Sequence, residues 1–122
     1  MIGYITIGSN DLTAANMFFD ALLAEFDATR AYSLDTMTAW SFGPKRPMLM
    51  VTTPFDARPA TIGNGTMIAL MARDRAHVDR VHALAISLGA TDEGAPGPRG
   101  GSFYGAYFRD LDGNKFNAFV SG

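Results

Sequence analysis

Ile2-Gly3-Tyr4-Ile5-Thr6-Ile7, then Ser9-Asn10-Asp11, opens the chain, and Thr66-Met67-Ile68-Ala69-Leu70, then Asp74, opens its second half. Each run is a short apolar strand pattern that leads through an aspartate into an amphipathic helix pattern. The offset is constant at 63 positions: Ile5 maps to Ile68, Asp11 to Asp74 and Ala15 to Val78. A self-similar period of this length predicts two copies of one supersecondary unit.

Working outward, Ser9-Asn10-Asp11 supplies side chains that cap the orphan amides of a helix start. The stripe Ala15, Phe18, Phe19, Leu22, Leu23, Phe26 follows a 3.6-residue period, with Asp27 to Thr29 ending the helix. Three strands are expected at about 30–34, 37–42 and 48–53, the last two separated by the turn Gly43-Pro44-Lys45-Arg46-Pro47. A connector over 55–65 joins module one, about 1–54, to module two, about 66–122. In module two a helix from about Asp74 to Leu88 turns Val78, Val81, Ala85 and Leu88 inward and stops at Gly89. Residues 92–102 are rich in Gly and Pro and read as an irregular, mobile loop that obscures one strand of the second half, each half following the order β-α-β-β-β. Strands 103–109 and 115–120 flank Asp110-Leu111-Asp112-Gly113-Asn114, a hairpin turn in which both aspartates are turn formers.

Composition narrows the function classes. A chain of 122 residues with 48% apolar and 18% charged residues fits one folded domain. The absence of cysteine excludes disulfides, thiolate nucleophiles and cysteine metal sites. A net charge of −2 with scattered basic residues gives no case for nucleic acid. No apolar run approaches a membrane span, and no basic segment precedes an apolar stretch at the N-terminus, so the expected setting is the cytoplasm.

Taken together, the opening strand with Asp11-Leu12, the pairs Phe18-Phe19 and Leu22-Leu23, the Gly65-to-Leu70 strand and the segment Arg109-Asp110-Leu111-Asp112-Gly113-Asn114-Lys115-Phe116 resemble the vicinal oxygen chelate superfamily. That superfamily holds glyoxalase I, the bleomycin-resistance proteins and the extradiol dioxygenases. The late segment is similar to the family's D-P-D-G-N hairpin, with Leu111 in place of proline. The resemblance implies an α+β fold of two βαβββ modules forming a curled mixed sheet around a cavity within one domain, 1–122, and a homodimer.

In metal-dependent members the ligands are typically His, Glu, His and Glu. The matching positions here are Tyr4, Leu49, Met67 and Asn117, and a shift of one residue about Leu49 gives methionine either way. A phenol, an alkyl group, a thioether and an amide do not make a divalent site. The only histidines, His77 and His82, lie five apart on one helix and point about 140° away from each other, so they cannot share an ion. His77 is expected on the exposed side beside Arg73–Arg80, and His82 at the helix edge against the sheet. Trp40 is expected in the core or at a dimer interface.

Alternation places Tyr4 and Thr6 on the strand face opposite Ile5 and Ile7, toward a cavity. By the repeat, Met67 and Ala69 take the matching face, and Asn117 shares one with Phe119. Tyr107 and Arg99 are placed at the cavity mouth. The expectation is a metal-free binder of a small hydrophobic or aromatic molecule that uses no cofactor, with Tyr4, Thr6, Leu49, Met67, Ala69, Tyr107, Asn117, Phe119 and Arg99 as pocket residues. Two other readings stand beside it. One is a lyase or isomerase of glyoxalase I type, or a ring-cleaving dioxygenase, with a non-standard site. The other is a module whose function is dimerisation.

Overall fold

The computed structural model describes residues 1–122. The chain divides into two compact units, Met1–Thr61 and Ile62–Gly122. Each contains a four-stranded mixed sheet and one helix in the order β-α-β-β-β, and neither sheet closes into a barrel. No helix is long and apolar enough to cross a membrane.

The first unit runs β1 (Tyr4–Gly8), α1 (Leu12–Ala24), β2 (Thr29–Ser33), β3 (Met37–Ser41) and β4 (Met48–Thr52), with sheet order β1-β4-β3-β2. The β1–β4 pair is parallel and the other pairs are antiparallel. Asp11 caps α1 by accepting the Ala14 N–H at 3.1 Å, satisfying one of the donors a helix start leaves unpaired. The helix buries Ala15, Phe18, Phe19, Leu22 and Leu23, the stripe that the periodicity predicts up to its last member. Phe26 falls outside because the chain leaves the helix at Glu25 and passes through a left-handed Asp27 at φ 58°. Trp40 is a core residue: it is buried, its ring lies 5.6 Å from that of Phe19, and its indole N–H bonds to Asp20 on α1.

The second unit runs β5 (Met67–Met71), α2 (Arg75–Ser87), β6 (Thr91–Pro98), β7 (Phe103–Arg109) and β8 (Lys115–Ser121), with sheet order β5-β8-β7-β6. The period seen in the sequence is kept in the structure: Tyr4 and Met67 begin β1 and β5, and Leu12 and Arg75 begin α1 and α2. Asp74 repeats the cap of Asp11, accepting the His77 N–H at 2.8 Å. Val78, Val81 and Ala85 are buried as expected, and Gly89 leaves α2 at φ 104°.

Two expectations are corrected here. Much of the stretch read as an irregular loop is strand β6, paired with β7 through register shifts between Asp92 and Gly94 and between Gly94 and Gly97. Pro96 and Pro98 are tolerated because β6 is an edge strand, where a missing N–H costs no ladder bond on the open side. His77 is buried, not exposed: its Nδ1 accepts the Arg73 N–H at 3.1 Å, which gives its ring a polar partner inside the core. His82 lies against β6 as expected, with Nε2 3.0 Å from the Asp92 carboxylate.

The β7–β8 turn is built on Asp110. Its Oδ1 accepts the N–H groups of Asp112 and Asn114 at 3.0 and 2.8 Å, and Asn114 Nδ2 donates to Oδ2 at 2.9 Å. Burial pushes the Asp110 carboxyl above the ordinary carboxylate range, against the pull of those bonds.

Candidate functional site

Register decides which side chains share a face, because paired residues project to the same side and neighbours in a strand alternate. In the first sheet Trp40, Leu49 and Ile5 are in register, and Trp40 meets α1, so this row faces the helix. Tyr4, Met48, Thr6, Met50 and Ala39 occupy the helix-free face. Thr6 and Met50 touch there, with Oγ1 4.0 Å from Sδ. Leu49 therefore lies on the opposite side from Tyr4 and Thr6, buried under the helix and not in the expected pocket set, and Met50 is the residue of β4 that shares their face. A one-residue step reverses the face of every side chain, so the sequence alone left this position open.

In the second sheet Tyr104 reaches Asp79 on α2 with its hydroxyl, so the row of Tyr104, Ala106 and Phe108 faces the helix. The helix-free face then carries Met67, Ala69 and Met71 from β5, Lys115, Asn117 and Phe119 from β8, and Phe103, Tyr107 and Arg109 from β7. Met67, Ala69, Tyr107, Asn117 and Phe119, five of the expected pocket residues, thus share one surface. Asn117 is buried and donates through Nδ2 to the carbonyls of Ala106 and Ala118 at 2.9 and 3.2 Å. Two carbonyl partners identify that atom as nitrogen, so the group it has left to offer a ligand is the acceptor Oδ1. Phe103 and Phe119 stack at 5.3 Å with ring planes 4° apart. Arg99 lies over the Tyr107 ring, its Cζ 5.7 Å from the centroid, and Lys115 Nζ is 5.6 Å from the same centroid.

At the start of β5 this surface runs into a cavity of about 340 Å³ between the segment Ile62–Met67 and the side chains of Arg109 and Lys115. Sequence reasoning placed neither cation in the site. The signal was nonetheless present: Arg109 and Lys115 flank the Asp110–Asn114 turn, and an antiparallel hairpin across it makes them cross-strand partners.

The metal that the family resemblance implies does not fit the residues present. The four matched positions offer Tyr4, Leu49 with a methionine on either side, Met67 and Asn117, and the amide nitrogen of Asn117 is held by backbone. No three His, Cys, Asp or Glu side chains are grouped so that they would hold an ion. Both histidines are engaged on the helix side.

No family model and no curated protein matches the chain. Solved structures do. A glyoxalase/bleomycin resistance protein from Albidiferax ferrireducens T118 is 33% identical, with 100% of this chain and 99% of that one covered and a TM-score of 0.91. A lactoylglutathione lyase from Agrobacterium tumefaciens is 22% identical over 98% of this chain and 92% of that one, with a TM-score of 0.73. The fosfomycin resistance protein FosX from Listeria monocytogenes is 20% identical over 100% and 93%, with a TM-score of 0.75. The last two share the fold.

Proposed function

The chain belongs to the glyoxalase/bleomycin resistance protein family, and from that premise we propose that it binds a small hydrophobic or aromatic molecule without a divalent metal. The observation that carries this reading is the helix-free face of the second sheet. Met67, Met71, Phe119 and Tyr107 surround the buried amide of Asn117 on one surface. Met67 and Met71 are 44% and 72% exposed, an unusual outlay of apolar area for strand residues. Flexible thioethers fit varied apolar shapes, and one fixed acceptor orients what they hold.

The donor set supports binding rather than metal-assisted chemistry, since Lewis-acid activation needs His or carboxylate ligands that these positions lack. The protein acts as a homodimer in this reading, in which a second copy covers exposed apolar side chains such as Ile2, Leu34 and Tyr4.

The test is elemental analysis of untagged protein purified without chelators, together with titration of neutral aromatic compounds followed by amide shifts. Less than about a tenth of an equivalent of metal per chain, with saturable shifts at Ala69, Asn117 and Phe119, is the expected result. Stoichiometric iron, zinc, nickel or manganese would overturn it in favour of a lyase or dioxygenase.

A further inference from the structure

We propose that the cavity at the start of β5 is an anion site, so that the ligand of this protein carries a carboxylate or comparable acidic group on a flat apolar body. The inference rests on the reading of the second sheet as a small-molecule surface and adds the charge and polarity of its ligand.

Charge is the first argument. Arg109 and Lys115 both line the cavity. One carboxylate, Glu93, serves them both: its Oε1 accepts Arg109 Nε at 2.8 Å and lies 3.9 Å from Lys115 Nζ. Two cations against one anion leave a net positive charge at the wall. The second argument is fixed geometry. Arg109 is held from two sides, by Glu93 and by donation from Nη1 to the Gly113 carbonyl at 2.9 Å. Lys115 rests beside the Tyr107 ring. Held cations lose less freedom when they bind, which favours affinity.

Shape is the third argument. The wall also includes Gly63 and Gly65, both in left-handed conformations at φ 60° and 100° and without side chains, so ligand oxygens can approach main chain closely. The fourth is continuity. Lys115 is in register with Met67, and one step along the same strands lie Ala69, Asn117 and Tyr107. Polarity thus falls along one face, from Arg109 and Lys115, through the Asn117 amide, to Met71 and the Phe103–Phe119 stack. A molecule with an acidic head and an aromatic body matches that gradient end to end.

The experiment compares 2-naphthoate, its neutral analogue 2-naphthalenemethanol and inorganic phosphate by calorimetry and amide shifts, on the wild-type chain and on Lys115→Met and Glu93→Gln. Lys115→Met keeps the apolar stem and removes the charge, and circular dichroism verifies that each variant is folded. The expected result is naphthoate binding about tenfold tighter than the alcohol, as befits a charge-assisted contact. Lys115→Met abolishes that preference by weakening naphthoate more than the alcohol, while Glu93→Gln, which removes the competing carboxylate, increases the preference. Shifts at Gly63–Thr66 accompany naphthoate.

Equal binding of naphthoate and alcohol in all three proteins would overturn the anion site and leave small-molecule binding intact. Phosphate shifting Gly63–Thr66 while neither aromatic compound binds would uphold the anion site and overturn the aromatic-binding reading. No response to any of the three would overturn both.

Discussion

Trp40 on β3 donates its indole N–H to Asp20 on α1 at 3.0 Å, and the same carboxylate grips Arg30 on β2 at 2.9 and 2.7 Å. One side chain thereby joins the helix to two strands of its own sheet. The Arg30 guanidinium holds the Asp20 carboxyl below the ordinary carboxylate range, with Trp40 helping. Asp20→Ala leaves a buried indole N–H unpaired and is expected to destabilise the protein by about 1–3 kcal/mol at neutral pH, measured by urea unfolding. Because the folded pKa is depressed, the stabilisation is complete above the ordinary carboxylate range. It is lost as pH falls through the folded value, so the gap between variant and wild type narrows in acid.

Asp92 makes a comparable connection in the second unit. The Gly94 N–H and the His82 ring lower its pKa, the backbone bond more than the imidazole. The sign is the same as for Asp20: the tie operates above the ordinary carboxylate range and weakens as pH drops. Hydrogen exchange is expected to show β6 amides losing protection in acid before those of β8. In Asp92→Ala the same early exchange appears already at neutral pH.

Gly105 is required by packing rather than by backbone conformation. A Cβ there would come within 2.9 Å of the Phe103 ring and 3.0 Å of Asn117 Nδ2. Gly105→Ala is expected to cost about 1–3 kcal/mol and to disturb the Phe103–Phe119 stack. The readouts are the melting temperature and the ring-current shifts of Phe119.

Asp110 and Asn114 form a donor–acceptor pair whose polarity can be exchanged. In Asp110→Asn the new amide nitrogen faces the Asn114 amide nitrogen, donor against donor, and the expected cost is about 1–3 kcal/mol. Adding Asn114→Asp restores a matched pair with the direction reversed. The double variant is expected to recover part of the loss, which a double-mutant cycle measures.

Leu22 is fully buried within α1. Leu22→Ala is expected to destabilise by about 2–5 kcal/mol, the range for opening a cavity in a packed core. The surface change Met71→Ser, on the exposed helix-free face, is expected to leave stability within about 0.5 kcal/mol. The same change weakens aromatic ligands. A contrast of this kind between the two positions separates folding from binding.

The amino-acid sequence by itself determined the local features of this protein and their duplication. The aspartate caps at 11 and 74, the Ala15-to-Leu23 and Val78-to-Ala85 stripes, the glycine stop at 89 and the Asp110–Asn114 turn all depend on contacts within a few residues, and these are written in the order of side chains. Tertiary structure alone decided what depends on pairing between distant strands. Whether Leu49 or Met50 joins Tyr4 and Thr6 is a question of strand register, and one residue reverses it. The strand identity of 91–98 comes from its antiparallel partner β7, which overrides a Gly/Pro composition that favours a loop. His77 shares the buried face of α2 with Val81 and Ala85 at four-residue steps, and only the folded chain shows the Arg73 N–H that gives its ring a partner there. Arg109 and Lys115 come to line one cavity with the turn at Gly63–Gly65, more than forty positions earlier in the chain, only through the tertiary fold.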